Sequence, residues 1–115
     1  MDLYRKAKFI AGLIQDKDGD DVVLIHMGQA VSFTVFFVIC SANSHRQVKT
    51  IVDYIISNTK KNKIKIWHTE GYESADWVLL DYGDIVVHIF MEEQRLFYEL
   101  ERLWRDLPLE HIGAA

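Results

Sequence analysis

The stretch EGYESADWVLLDYGDIVVHIFM, residues 70–91, decides the fold of this chain. It contains two nearly uninterrupted apolar runs, residues 77–80 and 85–91, with four residues between them. Such runs are typical of strands that are covered on both faces in the middle of a sheet. The intervening Asp81-Tyr82-Gly83-Asp84 predicts a tight turn, because glycine adopts positive φ at little cost and aspartate can accept a hydrogen bond from its own backbone. The stretch therefore predicts a central β-hairpin.

The residues before this hairpin alternate between helical and strand patterns. An apolar stripe of helical spacing predicts a first helix and consists of Leu3, Ala7, Ile10, Ala11 and Ile14. Two apolar segments, residues 22–27 and 33–40, predict strands separated by Gly28 and Gln29. Ser44 and Gln47 form a capping box that opens a second helix. Its core-facing stripe consists of Val48, Ile51, Val52, Ile55 and Ile56.

The residues that flank the hairpin predict one more strand and a last helix. Residues 64–67 alternate between apolar and basic side chains, which indicates a half-buried or edge strand whose lysines discourage edge pairing. Glu92 and Glu93 begin the last helix and Pro108 ends it. Its predicted inner side consists of Leu96, Leu100, Leu103 and Leu107, with Phe97 and Trp104 beside them. The fold class is therefore α/β (α+β), a single layered domain over residues 1–115 with a mixed sheet of about five strands flanked by helices.

Composition limits the classes of function. The 115-residue chain has a net charge of −4, whereas proteins that hold nucleic acids through phosphates are usually basic. We therefore expect little direct RNA contact, and a basic protein is the better partner for an acidic surface. Cys40 is the only cysteine and lies in an apolar run, which predicts a small buried hydrophobic side chain. With no signal segment and no apolar run near the roughly 18 residues of a membrane span, we expect a cytoplasmic protein without a membrane partner.

The candidate chemical groups are scattered. Asp81 and Asp84 could chelate a divalent cation, but aspartate is also a preferred turn residue. His26, His68 and His88 do not have the spacing of zinc ligands. The polar residues before the second helix (Ser41, Asn43, Ser44) could hold a phosphate on the helix N-terminus, and capping explains them equally well. We expect no metal and no cofactor.

The aromatic residues near the hairpin indicate a different kind of site. Trp77 follows an acidic residue at the start of a strand, and Glu70, Tyr72 and Glu73 lie just upstream. A strand tryptophan is usually part of a core, but aromatic side chains with acidic neighbours also form anchors at protein interfaces. Both interpretations of Trp77 stay open, whereas the strand and helix patterns predict that Trp67 and Trp104 belong to the core.

Two long segments resemble one known family. The block EGYESADWVLLDYGDIVVHIFMEEQRLFYELERLW, residues 70–104, is similar to the C-terminal signature of the ribosomal silencing factors, also called Iojap-related proteins. The block FFVICSANSHRQVKTIVDYI, residues 36–55, is similar to the second strand and second helix of the same family. With the N-terminal helix, the resemblance covers nearly the whole chain. Ala42 departs from it, since glycine is more usual there.

The resemblance implies a fold related to nucleotidyltransferases without their catalytic carboxylate pattern. It also implies binding to the large ribosomal subunit through its fourteenth protein, where the factor keeps the small subunit away and represses translation. Relatives in mitochondria and chloroplasts act in assembly of the large subunit. The partner-binding surface that it implies consists of Glu70, Trp77, Leu80, Asp81 and Tyr82. Whether the protein forms a homodimer stays open.

Two functional hypotheses of different classes remain. One is a non-enzymatic factor that keeps the ribosomal subunits apart. The other is a small nucleotidyltransferase-like enzyme that uses Asp81 and Asp84 with a divalent metal. Such an enzyme commonly places two carboxylates on one strand face, whereas these two lie three residues apart across a turn and residues 22–27 contain no carboxylate. The spacing favours the binding protein.

Overall fold

The computed structural model describes residues 2–28 and 34–113. The predicted strand start at Phe33 and the predicted break at Gln29 lie outside these residues. The helices and strands follow in chain order: α1 Leu3–Asp16, β1 Asp20–His26, β2 Phe36–Ala42, α2 His45–Lys61, β3 His68–Glu70, β4 Trp77–Asp81, β5 Ile85–Met91, α3 Glu92–Tyr98, α4 Leu100–Leu103 and β6 Leu109–His111.

The strands form one mixed sheet in the order β3-β4-β5-β2-β1-β6. All neighbours are antiparallel except β2 and β5, which run parallel and are joined by a connection that contains α2, β3 and β4. The α+β class with a mixed sheet is therefore confirmed, and β5 lies inside the sheet as its apolar run predicts. The sheet has six strands among the described residues rather than about five, because β6 follows Pro108 and pairs with β1.

The hairpin and the helix cap have the predicted local structure. Gly83 adopts φ +85°, and its N–H donates to Asp81 Oδ1 at 2.7 Å. At the start of α2, the Gln47 N–H donates to Ser44 Oγ at 3.0 Å. The Gln47 side chain in turn accepts from the Asn43 N–H at 2.9 Å. Each of these signals lies within a few residues of the chain, and this is why the sequence predicts them correctly.

The sheet is covered differently on its two faces. Helices α1 and α2 pack on one face, where their apolar stripes meet the inward side chains of β1, β2, β4 and β5 in the larger core. The opposite face carries a smaller core formed by Val23, Ile25, Met27, Ile39 and Phe90. Half-buried side chains cover that core: Phe37, Trp77, Leu100, Trp104 and Leu107. The C-terminal segment therefore covers the second face only in part.

The prediction of one continuous last helix is wrong. Glu99 adopts a left-handed conformation with φ 46° and ψ 51°, which separates α3 from α4. Leu96 and Leu103 are 71% and 70% exposed, whereas Arg95 is buried. The break ends the helical period on which the predicted inner side depends. The polar partners of Arg95 decide which side of α3 faces the sheet.

The edge strand is also displaced from its predicted position. Residues 64–67 make no strand, and β3 begins at His68. Ile64 and Ile66 do pack against the larger core, but Trp67 is 68% exposed, so its predicted core position is wrong. The alternation of side chains explains this result, because Trp67 shares the outward direction of Lys65. None of the described helices is long and apolar enough to cross a bilayer.

Candidate protein-binding surface

Trp77 is held at the start of β4 by two side chains of the neighbouring strand β5. Its ring stacks on Phe90, its cross-strand partner, with a centroid distance of 4.7 Å and an interplanar angle of 27°. Its indole N–H donates to His88 Nδ1 at 3.1 Å. The side chain is only half-buried, so part of the ring faces solvent. An aromatic ring that is fixed in place and partly exposed loses little side-chain entropy when it contacts a partner.

His88 supports this ring from below. It is 4% exposed, and burial lowers the pKa of its imidazole from 6.5 to about 4. Because Nδ1 accepts the hydrogen bond from Trp77, the neutral ring carries its proton on Nε2. That atom is buried with no hydrogen-bond partner among the described residues. Protonation of His88 would therefore place an uncompensated charge under Trp77 and remove the acceptor of its N–H.

The stability of the fold is expected to depend on pH through His88. The unfolded chain binds a proton at the ordinary pKa of 6.5, whereas the folded chain resists it down to about pH 4. Unfolding therefore takes up a proton at pH values below 6.5. The contribution of neutral His88 to stability is complete above pH 6.5 and decreases as the pH falls. Between pH 6.5 and about pH 5 we expect a loss of about 2 kcal/mol. Urea unfolding at these pH values measures it, and a His88→Phe variant that keeps the same pH dependence would contradict the assignment.

Arg95 anchors the C-terminal segment beside Trp77. Its Nη1 donates to the Asp20 carbonyl at 3.3 Å and to Ser41 Oγ at 3.2 Å. Its Nη2 donates to Glu101 Oε2 at 3.0 Å and lies 3.4 Å from Asp21 Oδ2. Sequence reasoning missed this residue. The signal was present as polar groups at the ends of two apolar strands, which need a donor when they are buried.

The orientation of α3 that Arg95 fixes exposes aromatic side chains next to Trp77. The Tyr98 ring lies 5.0 Å from Trp77, and Phe97 lies 5.1 Å from Tyr98. Phe97 is 80% exposed and Tyr98 52%. We call Trp77, Phe97 and Tyr98 the aromatic patch, and Leu96 and Leu103 are exposed on the same segment. Contiguous exposed apolar groups of this kind mark interaction sites on soluble proteins.

Acidic residues occur on the two elements that carry the aromatic patch or adjoin it. Glu70 lines a shallow groove of about 240 Å³ together with Gly71, Trp77 and Leu79. Glu92 and Glu93 are exposed in the first turn of α3. An apolar centre with a charged rim is the usual anatomy of a protein interface, and the negative rim suits a basic partner.

The structure divides the predicted surface residues into two groups. Trp77 and Glu70 meet in the shallow groove, and Asp81 is half-buried with one carboxylate oxygen bonded within the turn. Leu80 is fully buried and Tyr82 is 4% exposed, so the prediction that their side chains form a surface is wrong. Alternate residues of β4 point to opposite faces, which places Leu80 against the helices.

Tyr82 belongs to the buried residues of the hairpin, whereas Leu79 lies on the same face as Trp77. Thr59 Oγ1 lies 2.9 Å from the Tyr82 hydroxyl, so Tyr82 fixes the hairpin to α2. Burial raises the pKa of the Tyr82 phenol above 10.0. Leu79, which the sequence reasoning passed over, shares the face of Trp77 because it lies two residues further along β4. The two-residue period of side chains along a strand, applied from Trp77, identifies Leu79.

The two carboxylates on which the enzyme hypothesis depends have structural roles in the fold. Asp81 caps its own turn, and Asp84 Oδ2 lies 3.8 Å from Lys6 Nζ. Across residues 2–28 and 34–113, no cluster of three or more His, Cys, Asp or Glu could hold a metal ion. Cys40 is fully buried as predicted, and burial raises the pKa of its thiol to about 12. A thiol of such high pKa is a poor nucleophile at neutral pH.

Comparison with known proteins decides the family. The family model described as "Ribosomal silencing factor during starvation" matches residues 1–114. The chain belongs to this family. A ribosomal silencing factor of Halalkalibacterium halodurans is 41% identical over 95 residues, which cover 83% of this chain and 81% of the relative. The crystal structure of a Chromobacterium violaceum protein is similar with a TM-score of 0.89 at 28% identity, and the match covers 100% of this chain and 96% of the other.

A mouse protein whose name refers to mitochondria is also similar to this chain. It is named mitochondrial assembly of ribosomal large subunit protein 1 and is 32% identical over 101 residues, which cover 83% of this chain and 43% of the mouse protein. The names of these relatives describe regulators of translation and of ribosome assembly rather than enzymes. The resemblance noted in the sequence is thus confirmed, and a ribosomal silencing role follows for this chain.

Proposed function

We propose that this ribosomal silencing factor binds the large ribosomal subunit through its fourteenth protein and blocks joining of the small subunit. Translation falls because fewer complete ribosomes form. The factor acts in the cytoplasm, without a metal, cofactor or catalytic step. Membership of the family supports the ribosomal role, and the large-subunit name of the mouse relative supports the choice of subunit.

The aromatic patch carries this proposal. Interface hot spots are enriched in tryptophan and tyrosine, and an exposed cluster of such side chains supplies most of the binding energy at a protein contact. Trp77 is held by Phe90 and His88 and is therefore already in its binding conformation. Many ribosomal proteins are basic because they bind RNA, and Glu70 at the groove beside Trp77 complements a basic partner.

Size supports inhibition by occupation of space. The protein measures 34 × 33 × 30 Å. A protein–protein contact brings two surfaces to van der Waals distance, about 4 Å between heavy atoms. A body of this size attached at the joining face of the large subunit therefore excludes the small subunit without altering any bond.

The nucleotidyltransferase alternative has less support. Its two candidate ligands each have one oxygen engaged within the fold, Asp81 Oδ1 by the Gly83 N–H and Asp84 Oδ2 by Lys6. A catalytic metal site needs converging carboxylates in an open position. The geometry of the hairpin therefore supports a binding protein, in agreement with the names of the relatives.

The test is subunit reassociation measured by light scattering. We expect the protein to sediment with purified large subunits and not with small ones. Inhibition of reassociation should be complete at about one factor per large subunit and weaker when small subunits are added first, because both compete for the same state of the large subunit. Sedimentation with both subunits alike, or complete inhibition at a small fraction of one factor per subunit, would refute steric blocking.

A further inference from the structure

A basic surface lies at the C-terminal end of α2. Lys60, Lys61, Lys63 and Lys65 are all exposed and belong to a segment, residues 60–67, that contains no acidic residue. They are four of the 13 basic residues in a chain whose net charge is −4. None of the ion pairs found within residues 2–28 and 34–113 involves these four lysines. These lysines therefore form a local positive surface on a protein of negative net charge.

Trp67 adds an exposed aromatic ring to this basic surface. Its ring lies over Gly83, where an added Cβ would be 3.1 Å from the ring carbons. The turn supports the ring from one side, and 68% of the residue remains exposed. The fold does not require an exposed tryptophan here, since Ile64 and Ile66 already cover the larger core.

A groove lies beside these side chains. It has a volume of about 340 Å³ and runs between the end of α2 and residues 64–66. Isoleucine side chains form its floor, and Lys60, Lys63 and Lys65 form its rim. Positive side chains near a helix C-terminus interact favourably with the helix dipole, and this explains Lys60 and Lys61. It does not explain the lysines and the tryptophan that follow the end of the helix.

We propose that this surface, Lys60 to Trp67, binds single-stranded or looped RNA. Lysines neutralise successive phosphates, while a base stacks on the exposed ring of Trp67. The combination of a basic track with an aromatic platform favours RNA over an acidic protein, which would use the lysines but has no planar bases to stack. The proposed binding differs from the expectation of little RNA contact that the net charge suggested, because a local positive patch can bind phosphates on a protein of negative net charge.

The proposal goes beyond the proposed function and is tested without ribosomes. Binding of an unstructured oligoribonucleotide of about 12 nucleotides is measured by fluorescence anisotropy. If four phosphates are neutralised, affinity should fall about 50-fold between about 50 and 200 mM salt. The double variant Lys63→Gln/Lys65→Gln should halve the slope of log affinity against log salt. The matched control Arg46→Gln/Lys49→Gln removes the same charge from the other end of α2 and should leave the slope unchanged.

Trp67→Ala separates base stacking from charge attraction. We expect about tenfold weaker RNA binding, unchanged binding of heparin, which has no bases, and an unchanged thermal melting temperature, because the side chain is mostly exposed. Any of three results would overturn the proposal. They are equal losses of RNA affinity in the two double variants, an unaltered RNA affinity in Trp67→Ala, and binding of polyglutamate as tight as that of RNA. Failure of this test leaves subunit binding through the aromatic patch unaffected, since that is measured with purified subunits.

Discussion

Arg95→Met is expected to lower the free energy of unfolding by about 3 kcal/mol and to weaken binding to the large subunit. The guanidinium is the buried centre of a network that joins α3 to the ends of β1 and β2. Methionine fills a similar volume but leaves the Ser41 hydroxyl without the N–H of Arg95, and leaves the Asp20 carbonyl with only the 3.5 Å contact from Ser41 Oγ. Breaking a buried charged pair from one side costs about 3–5 kcal/mol. We expect a loss at the lower end of this range because the exposed Asp21 carboxylate can hydrogen-bond to water instead.

The matched control for Arg95 is Arg102→Met in the same segment. Arg102 pairs with Glu99 at 3.0 Å, but both side chains are exposed. Exposed pairs contribute less than about 1 kcal/mol, so this variant should unfold and bind almost as the unaltered protein does. Urea unfolding and sedimentation with large subunits measure both effects. Equal losses in the two variants would show that Arg95 does not anchor the aromatic patch.

Trp77→Ala is expected to weaken binding to the large subunit by about 2 kcal/mol or more, which is roughly thirtyfold. The substitution removes the centre of the aromatic patch and the support of Tyr98. Trp77→Phe keeps an aromatic ring against Phe90 but loses the N–H that donates to His88, so its loss should be smaller. Titration of each variant against large subunits gives the affinities, and thermal melts show the fraction that is folded.

Leu80→Ala is the control for the Trp77 variants. Leu80 lies three residues further along β4 and is fully buried in the larger core. Its truncation should cost about 3 kcal/mol of stability, while the folded fraction should bind large subunits as the unaltered protein does. A stable Trp77→Ala protein with unchanged affinity would remove Trp77 from the interface. A Leu80→Ala protein that is folded but does not bind would place the contact on the opposite face of the sheet.

The candidate site was only partly predictable from the sequence. The residues that resemble the family led to Trp77 and Glu70, which line one shallow groove, and their contact with a partner stays a prediction. The same resemblance also led to Leu80 and Tyr82, which are buried. A motif shows which residues occur together, but not which side of the sheet each one faces. The period of two along β4 supplies that information once the strand is fixed.

The sequence by itself determined the central hairpin, the turn at Gly83 and the start of α2. Their signals lie within a few neighbouring residues, as an apolar run, a glycine with positive φ and a serine three residues before a glutamine. Only the tertiary structure decided which side of α3 faces the sheet. Besides Glu101, which is six residues away, Arg95 has partners 54 and 75 residues away along the chain. No local pattern contains such distant groups. Burial of a charge without polar partners is unfavourable, so the position of these partners has more influence on the orientation of α3 than the spacing of the leucines.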